Sequence, residues 1–437
     1  PALKTGADVV DHLKVYFPAH DLRLPAPLRA GLRLSGGLLT SRLVAAAVRT
    51  MMTKMARRFI GGETAAEAVA EVARLKSERF EFSLDFLGEA TLSEPEADQN
   101  LQAILAMMKA LDPGLTAGAD RPQVNLSIKC SSLVSFLDPV DPDEIRRRLF
   151  PRLRLILRDA AARRAFIHFD AEHYDICDLV LDLLLDLFDE SEFRQAPEVG
   201  VVLQAYLRSA PERVERLLHW CAAHQRELTV RLVKGAYWDS EIIRARRQGW
   251  AEPVFLRKAE SDACFERILL RLMQSHPCVR TAVASHNLRS IAAGLALAQE
   301  LRVPTDRYEF QFLYGMARAT RTVLADLGHT VRVYMPYGQL IPGMAYLVRR
   351  LLENSSNESF LRHRRLGQAP AEQLLKNPHE QIASLAPAVI VAHPSVFQNT
   401  PAAEFHKPAA RESMQAAVFR QLDAPVEKIG PVIDGRR

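Results

Sequence analysis

The chain has 437 residues, 48% of them hydrophobic and 25% charged, with a formal net charge of +5 at pH 7; it can bury a large core and should hold one large domain plus smaller pieces. The mild positive charge includes no dense Lys/Arg block and no aromatic-basic interleaving, which argues against a nucleic-acid partner. Five cysteines (Cys130, Cys177, Cys221, Cys264, Cys278) without a CxxC pair favour a reducing compartment over a disulfide framework or a zinc cluster.

The opening PALKTGADVV has no apolar signal core. The longest uncharged run near the C-terminus, 382–392, is too short to span a bilayer. A soluble protein is expected. Residues 1–76 read as a helical arm: an apolar-basic stretch (41–59) precedes Gly61-Gly62, and 63–76 is an Ala-rich amphipathic helix candidate.

From Phe80 the texture changes. Short β-rich runs at 80–90, 124–132, 165–174, 199–207, 228–238, 281–287, 308–316 and 330–338 alternate with helical patterns. One such helix carries Asp178, Asp182 and Asp186 on an outward stripe. Another covers 211–224 with Ser209 as its cap candidate, and a third, 288–300, starts behind Asn287. Strict alternation over eight units predicts an α/β fold, a closed (βα)8 TIM-like barrel over 77–365. The absence of GxGxxG weighs against an open dinucleotide-binding sheet. Beyond that, 366–437 reads as an extension.

Barrel enzymes place reactive groups at the C-terminal ends of strands. Those ends here offer Glu89, Lys129, Asp170, Glu172, Gln204, Arg231, Lys234, His286, Tyr314 and Tyr334. Each has a plain structural alternative: Asp170 as a helix cap, Lys129 as a salt-bridged loop residue, His286 and Asn287 as a helix start. Together they suggest a polar mouth that takes an anionic ligand, a phosphate-bearing cofactor, or both. The stretch 331–353 concentrates this signal. It reads as a short strand, a turn through Pro336 and Gly338, and a helix from about Pro342 with Tyr346, Arg349, Arg350 and Glu353 on one face. Adjacent guanidinium forks suit a planar carboxylate, and Tyr237, Trp238, Tyr334 and Tyr346 can stack on a ring. No metal-ligand spacing is present, so no metal is expected.

RLVKGAYWDSEI (231–242), LGEAT (87–91), FDAE (169–172), ASHN (284–287) and YLVRRLLEN (346–354) resemble the proline dehydrogenase domain of bifunctional proline utilization A flavoenzymes. The tail 397–437 is similar to the entry segment of that family's aldehyde dehydrogenase domain. The resemblance implies FAD-dependent oxidation of L-proline to Δ1-pyrroline-5-carboxylate, by hydride transfer to flavin N5, with electrons passed to a membrane quinone. It implies a bacterial cytoplasmic location, with peripheral contact at the inner membrane as an alternative. It assigns the substrate carboxylate to Arg349, Arg350 and Lys129, with Glu89 pairing Arg349 as a gate. Tyr334, Tyr346, Tyr237 and Leu232 would pack on the pyrrolidine ring, with Asp170 beside it. For the flavin it assigns Arg231 near N5, Gln204 at the pyrimidine edge, Asp170, and the Val233, Lys234 and Gly235 loop. Trp238 would lie by the adenine, Ser285, His286 and Asn287 on the pyrophosphate and ribityl chain, Arg257 and Lys258 nearby, and Glu353 on a ribityl hydroxyl. Two rival readings are a Schiff-base lyase using Lys129 or Lys234, and a silent barrel serving as a platform for a second domain.

Overall fold

Eight parallel strands close into a barrel in sequence order: β1 (Glu81–Phe86), β2 (Asn125–Ile128), β3 (Phe166–Phe169), β4 (Val199–Gln204), β5 (Leu228–Val233), β6 (Val279–Ala284), β7 (Tyr308–Leu313) and β8 (Val331–Tyr337). All lie within the runs expected from sequence except β6, which begins two residues early. β2 and β3 are buried at every position, as parallel strands covered on both faces must be. The computed structural model describes residues 5, 8, 11, 38–87, 91–115, 124–339, 346, 347, 349, 350, 372, 375–384 and 399–423. Among the described residues, the arm helices α1 (Leu38–Ala56) and α2 (Ala65–Ser77) precede the barrel. Then come α3 (Glu94–Leu115), α4 (Pro142–Ala162), α5 (Tyr174–Phe188), α6 (Ala210–His224), α7 (Trp238–Gln248), α8 (Lys258–Gln274), α9 (Leu288–Glu300) and α10 (Arg318–Asp326), with α11 (Pro378–Ala383) and α12 (Pro408–Asp423) after it.

Local chemistry fixes the helix starts. Thr64 and Glu67 form a capping box ahead of α2, and Asn287 accepts from Arg289 N to open α9. Ser209 does not act as the cap expected of it. Its backbone is already helical (φ −82, ψ −1), its hydroxyl makes no capping bond, and Pro211 lacks an N–H to offer at the second position. On α5, Asp182 and Asp186 are exposed as expected, whereas Asp178 is drawn into a pair with Arg213 of α6 (2.8 Å).

The chain separates into two compact units, Pro1–Glu89 with Phe310–Ala369 and Ala90–Glu309 with Pro370–Arg437. In the first, α2 buries Ala68, Val72 and Leu75 against β1 and β8, which pair from Glu81↔Arg332 to Phe86↔Tyr337. Pro336, expected in a turn, is in the strand opposite Asp85. Its lack of an N–H is tolerated because its carbonyl is the group in use, accepting from Gly61 N (2.8 Å). The chain turns at Gly338 instead, where φ is +130°.

In the second unit β2 to β6 pair in order, and α8 packs against α6, α9 and α11. Part of the expected extension is anchored here. Trp250 Nε1 donates to Ala402 O (2.7 Å), Ala402 N donates to Gln248 O (2.8 Å), and buried His406 lies edge-on to Tyr174 and Trp250. Among the described residues no helix is long and apolar enough to cross a membrane.

Candidate active site

The two-residue period of a strand puts Ser127 and Lys129 on one face of β2 and its exit. Register sets Arg231 of β5 beside Val202 of β4 and Ala282 of β6. The side chains converge on the carboxylate of Asp170, just past β3. Arg231 donates to Asp170 Oδ1 (2.6 Å) and to Ser127 Oγ (3.0 Å), and Lys129 Nζ lies 3.6 Å from Asp170 Oδ2. Lys129, Asp170, Arg231 and Ser127 are all buried, so the charges are held by one another rather than by water. Asp170 is therefore a counter-ion for two cations and not a helix cap; His173 holds the cap position of α5.

A second set fixes Gln204, the last residue of β4. Its Nε2 donates to Glu172 O (3.2 Å), and Cys177 Sγ donates to its Oε1 (3.3 Å). Burial pushes the Cys177 thiol up to about 12, so it keeps the proton it donates. The amide is thereby held in one orientation with a second N–H left for a ligand. The buried Glu172 carboxyl accepts from Ser131 N (3.1 Å) and from Ser131 Oγ, tying the β2 and β3 exits together. Burial raises its pKa against those hydrogen bonds.

The loop after β5 carries the next group. Gly235 has φ +139°, and a Cβ there would fall 2.4 Å from the Tyr206 ring, so only glycine fits. Lys234 pairs with Asp262, which Lys258 shares. Tyr237 packs on His173 with ring centroids 4.4 Å apart. Buried Glu241 holds His173 Nδ1 (3.2 Å) and Tyr174 N (3.0 Å). Trp238 is exposed and donates to Phe255 O (2.8 Å). Arg257 occupies the cap position of α8. After β6, Ser285 Oγ accepts from Asn287 N (3.1 Å), with His286 half-buried between them. Leu232 is buried and Val233 half-buried in β5.

Burial pushes Lys234 down to about 8, against its carboxylate partner. An unfolded lysine titrates near about 10.4, so between about pH 8 and pH 10 the unfolded chain binds more protons. Stability should therefore rise with pH across that window. Thermal unfolding of the wild type against Lys234→Met should show this slope in the wild type only. Parallel curves would contradict the assignment.

In the first unit Tyr346, Leu347, Arg349 and Arg350 are helical. Tyr346 and Arg350 are buried, and the Arg350 guanidinium stands 5.1 Å from the Tyr346 ring centroid, the i,i+4 contact expected of one face. Arg349 is half-buried, as is Tyr334 within β8. Tyr314 donates to Glu71 Oε1 of α2 (2.8 Å), and burial pushes its hydroxyl up to about 12. Glu89, Glu353 and the helix start near Pro342 lie outside the described residues. Among the described residues no group of three His, Cys, Asp or Glu is placed to hold a metal.

Sequence reasoning missed Ser127, Ser131, His173, Cys177, Glu241 and Asp262. Strand alternation could have found Ser127, two residues before Lys129. Helical i,i+4 spacing from Lys258 could have found Asp262; the others act through partners 27 to 68 positions away, which no spacing rule reaches.

The proline dehydrogenase family signature matches residues 68–363, and that of the proline utilization A N-terminal domain matches residues 1–59. The chain belongs to the proline dehydrogenase family. It is 30% identical over 309 residues to proline dehydrogenase 1 of Bacillus subtilis, covering 70% of this chain and 89% of that protein. It is 34% identical over 356 residues to the bifunctional protein PutA of Klebsiella aerogenes, covering 79% of this chain. A crystal structure of proline utilization A from Bdellovibrio bacteriovorus, inactivated by N-propargylglycine, matches with TM-score 0.83 at 38% identity, over 89% of this chain and 42% of that one. The chain spans only 27% of the Klebsiella relative and 26% of its Salmonella typhimurium counterpart.

Proposed function

We propose that this proline dehydrogenase family member oxidises L-proline to Δ1-pyrroline-5-carboxylate with FAD as cofactor and a membrane quinone as final acceptor. The observation that carries the reading is the buried Lys129–Asp170–Arg231 cluster at the exits of β2, β3 and β5, within a chain matched to this family over its whole barrel. The donor set fits FAD. A glycine backbone at 235 and an amide at Gln204 with an N–H to offer suit a close planar ring. The Lys234, Lys258 and Arg257 cations suit a pyrophosphate, and Ser285, His286 and Asn287 add hydroxyl, imidazole and amide groups. Bound FAD supplies the acceptor for the two electrons and the hydrogen that leave the substrate carbon next to nitrogen.

The residues of the chain do the positioning. Arg349 and Arg350 bind the substrate carboxylate, with Lys129 as a further cation and Glu89 as a gate partner of Arg349. Tyr334, Tyr346, Tyr237 and Leu232 enclose the pyrrolidine ring and exclude water. Asp170 fixes the Arg231 guanidinium, a cation that beside bound FAD would favour the negative charge that reduction brings. Trp238 would contact the adenine of bound FAD, and Glu353 would serve a ribityl hydroxyl. The amine gives up its proton to solvent, and the ring carbon its hydrogen with two electrons to the bound acceptor, leaving a C=N bond. We divide the chain into an arm (1–76), a catalytic barrel (77–365) and a segment (366–437) leading to an aldehyde dehydrogenase domain. A purified chain loaded with FAD and given L-proline and a soluble quinone should release an imine that 2-aminobenzaldehyde traps. No trapped product would sink the reading.

A further inference from the structure

We infer that residues 58–62, ahead of the matched dehydrogenase region, form a strap that positions the arginine-bearing helix and so sets affinity for the substrate carboxylate; this rests on the function proposed above. The strap is stitched to the end of β8. Gly61 N donates to Pro336 O (2.8 Å), and Gly338 N donates to Gly62 O (2.9 Å). Two close approaches leave it no lateral freedom. A Cβ on Gly315, where φ is +77°, would fall 1.8 Å from Arg58 O, and one on Gly61 would fall 2.3 Å from Met335 Sδ. Glycines at 61 and 315 thus admit the segment where a Cβ would clash.

What the strap carries is apolar. Phe59 and Ile60 form one buried cluster with Leu87, Met316, Tyr346 and Leu347, and Leu313 and Tyr334 pack against it. Tyr346 and Leu347 are the inward residues of the helical turn that presents Arg349 and Arg350, and the Arg350 guanidinium rests on the Tyr346 ring. The floor under the two guanidinium groups is therefore built partly from the arm. A carboxylate fork is sensitive to displacements well under an ångström, because both hydrogen bonds must close together. The Phe59 and Ile60 side chains carry no polar atom to hold a carboxylate and share a buried cluster with Tyr346 and Leu347. They are positioning residues, and removing their volume should loosen carboxylate binding while leaving the flavin side, on other strands, unchanged.

The test compares wild type, Phe59→Ala and Phe59→Leu, each loaded with FAD. KM and kcat are read for L-proline, and Ki for cyclopentanecarboxylate, which carries the carboxylate but no nitrogen. In Phe59→Ala, KM and Ki should rise together by about tenfold or more, with kcat within about threefold of wild type. FAD content and visible spectrum should be unchanged, and Phe59→Leu should recover most of the loss. Unchanged KM and Ki would overturn the inference, as would a fall in kcat or FAD content with KM and Ki held. If Phe59→Ala does not fold, Ile60→Ala carries the same comparison: a paired rise in KM and Ki supports the strap and no rise overturns it. A wild type that L-proline does not reduce would sink the substrate reading and the inference with it; an active wild type with indifferent strap variants sinks the inference alone.

Discussion

Replacing Asp170 with alanine should lower the stability of the chain by about 3–5 kcal/mol, the cost of taking the partner from a buried charge. Asp170 serves Arg231 at 2.6 Å and Lys129 at 3.6 Å, and all three are shut away from water. Alanine removes both acceptor oxygens, leaving the two cations without the carboxylate they share. Asp170→Asn keeps one oxygen for Arg231 and should lose less, because a neutral acceptor still satisfies one guanidinium N–H. Urea unfolding of the three chains gives the ordering directly. A loss below about 1 kcal/mol in the alanine variant would mean that water reaches the cluster and screens it. Both variants should also be poor enzymes, since the Arg231 guanidinium is aimed by this pair.

Replacing Arg350 with methionine should raise KM for L-proline by about 10- to 150-fold, the range that about 1.5–3 kcal/mol of charge-assisted hydrogen bonding corresponds to. Methionine keeps much of the aliphatic stem against the Tyr346 ring, so the change isolates the guanidinium. Arg350→Lys should recover only part of the loss, because an ammonium has neither the planar fork nor the stacking face. Steady-state kinetics and equilibrium binding of cyclopentanecarboxylate check this. A lysine variant with wild-type affinity would show that charge alone, rather than the fork, holds the carboxylate.

Much of the architecture was legible in advance, because hydrophobic texture and β-α alternation are local properties. The eight strand runs contain the eight strands apart from two residues of β6. Asn287 was read correctly as a cap. Ser209 was not, because capping depends on the backbone angle and on what stands two residues later, and Pro211 has no N–H to give. Pro336 was misread as a turn for a related reason. Its carbonyl finds a donor in Gly61, 275 positions away, and no window of sequence contains both.

The same limit governs the site. Lys129, Asp170, Gln204 and Arg231 could be picked as polar groups at strand ends, and Ser127 by alternation. Which of them pair could not. Arg231 reaches Asp170 across 61 positions and Ser127 across 104, and those contacts exist only because the barrel brings β2, β3 and β5 together. The roles toward proline and flavin came from resemblance, not from spacing. The strap at 58–62 was invisible in both ways: its two glycines read as a break after an apolar stretch, and its partners lie at the far end of the barrel.

The central claim is that this chain binds FAD and reduces it with L-proline. The most direct test is a visible spectrum of the purified, FAD-loaded chain recorded anaerobically before and after L-proline is added. Oxidised flavin bands that bleach on addition are the predicted result. A chain that takes up no FAD, or flavin bands that stay unchanged with L-proline, would contradict it.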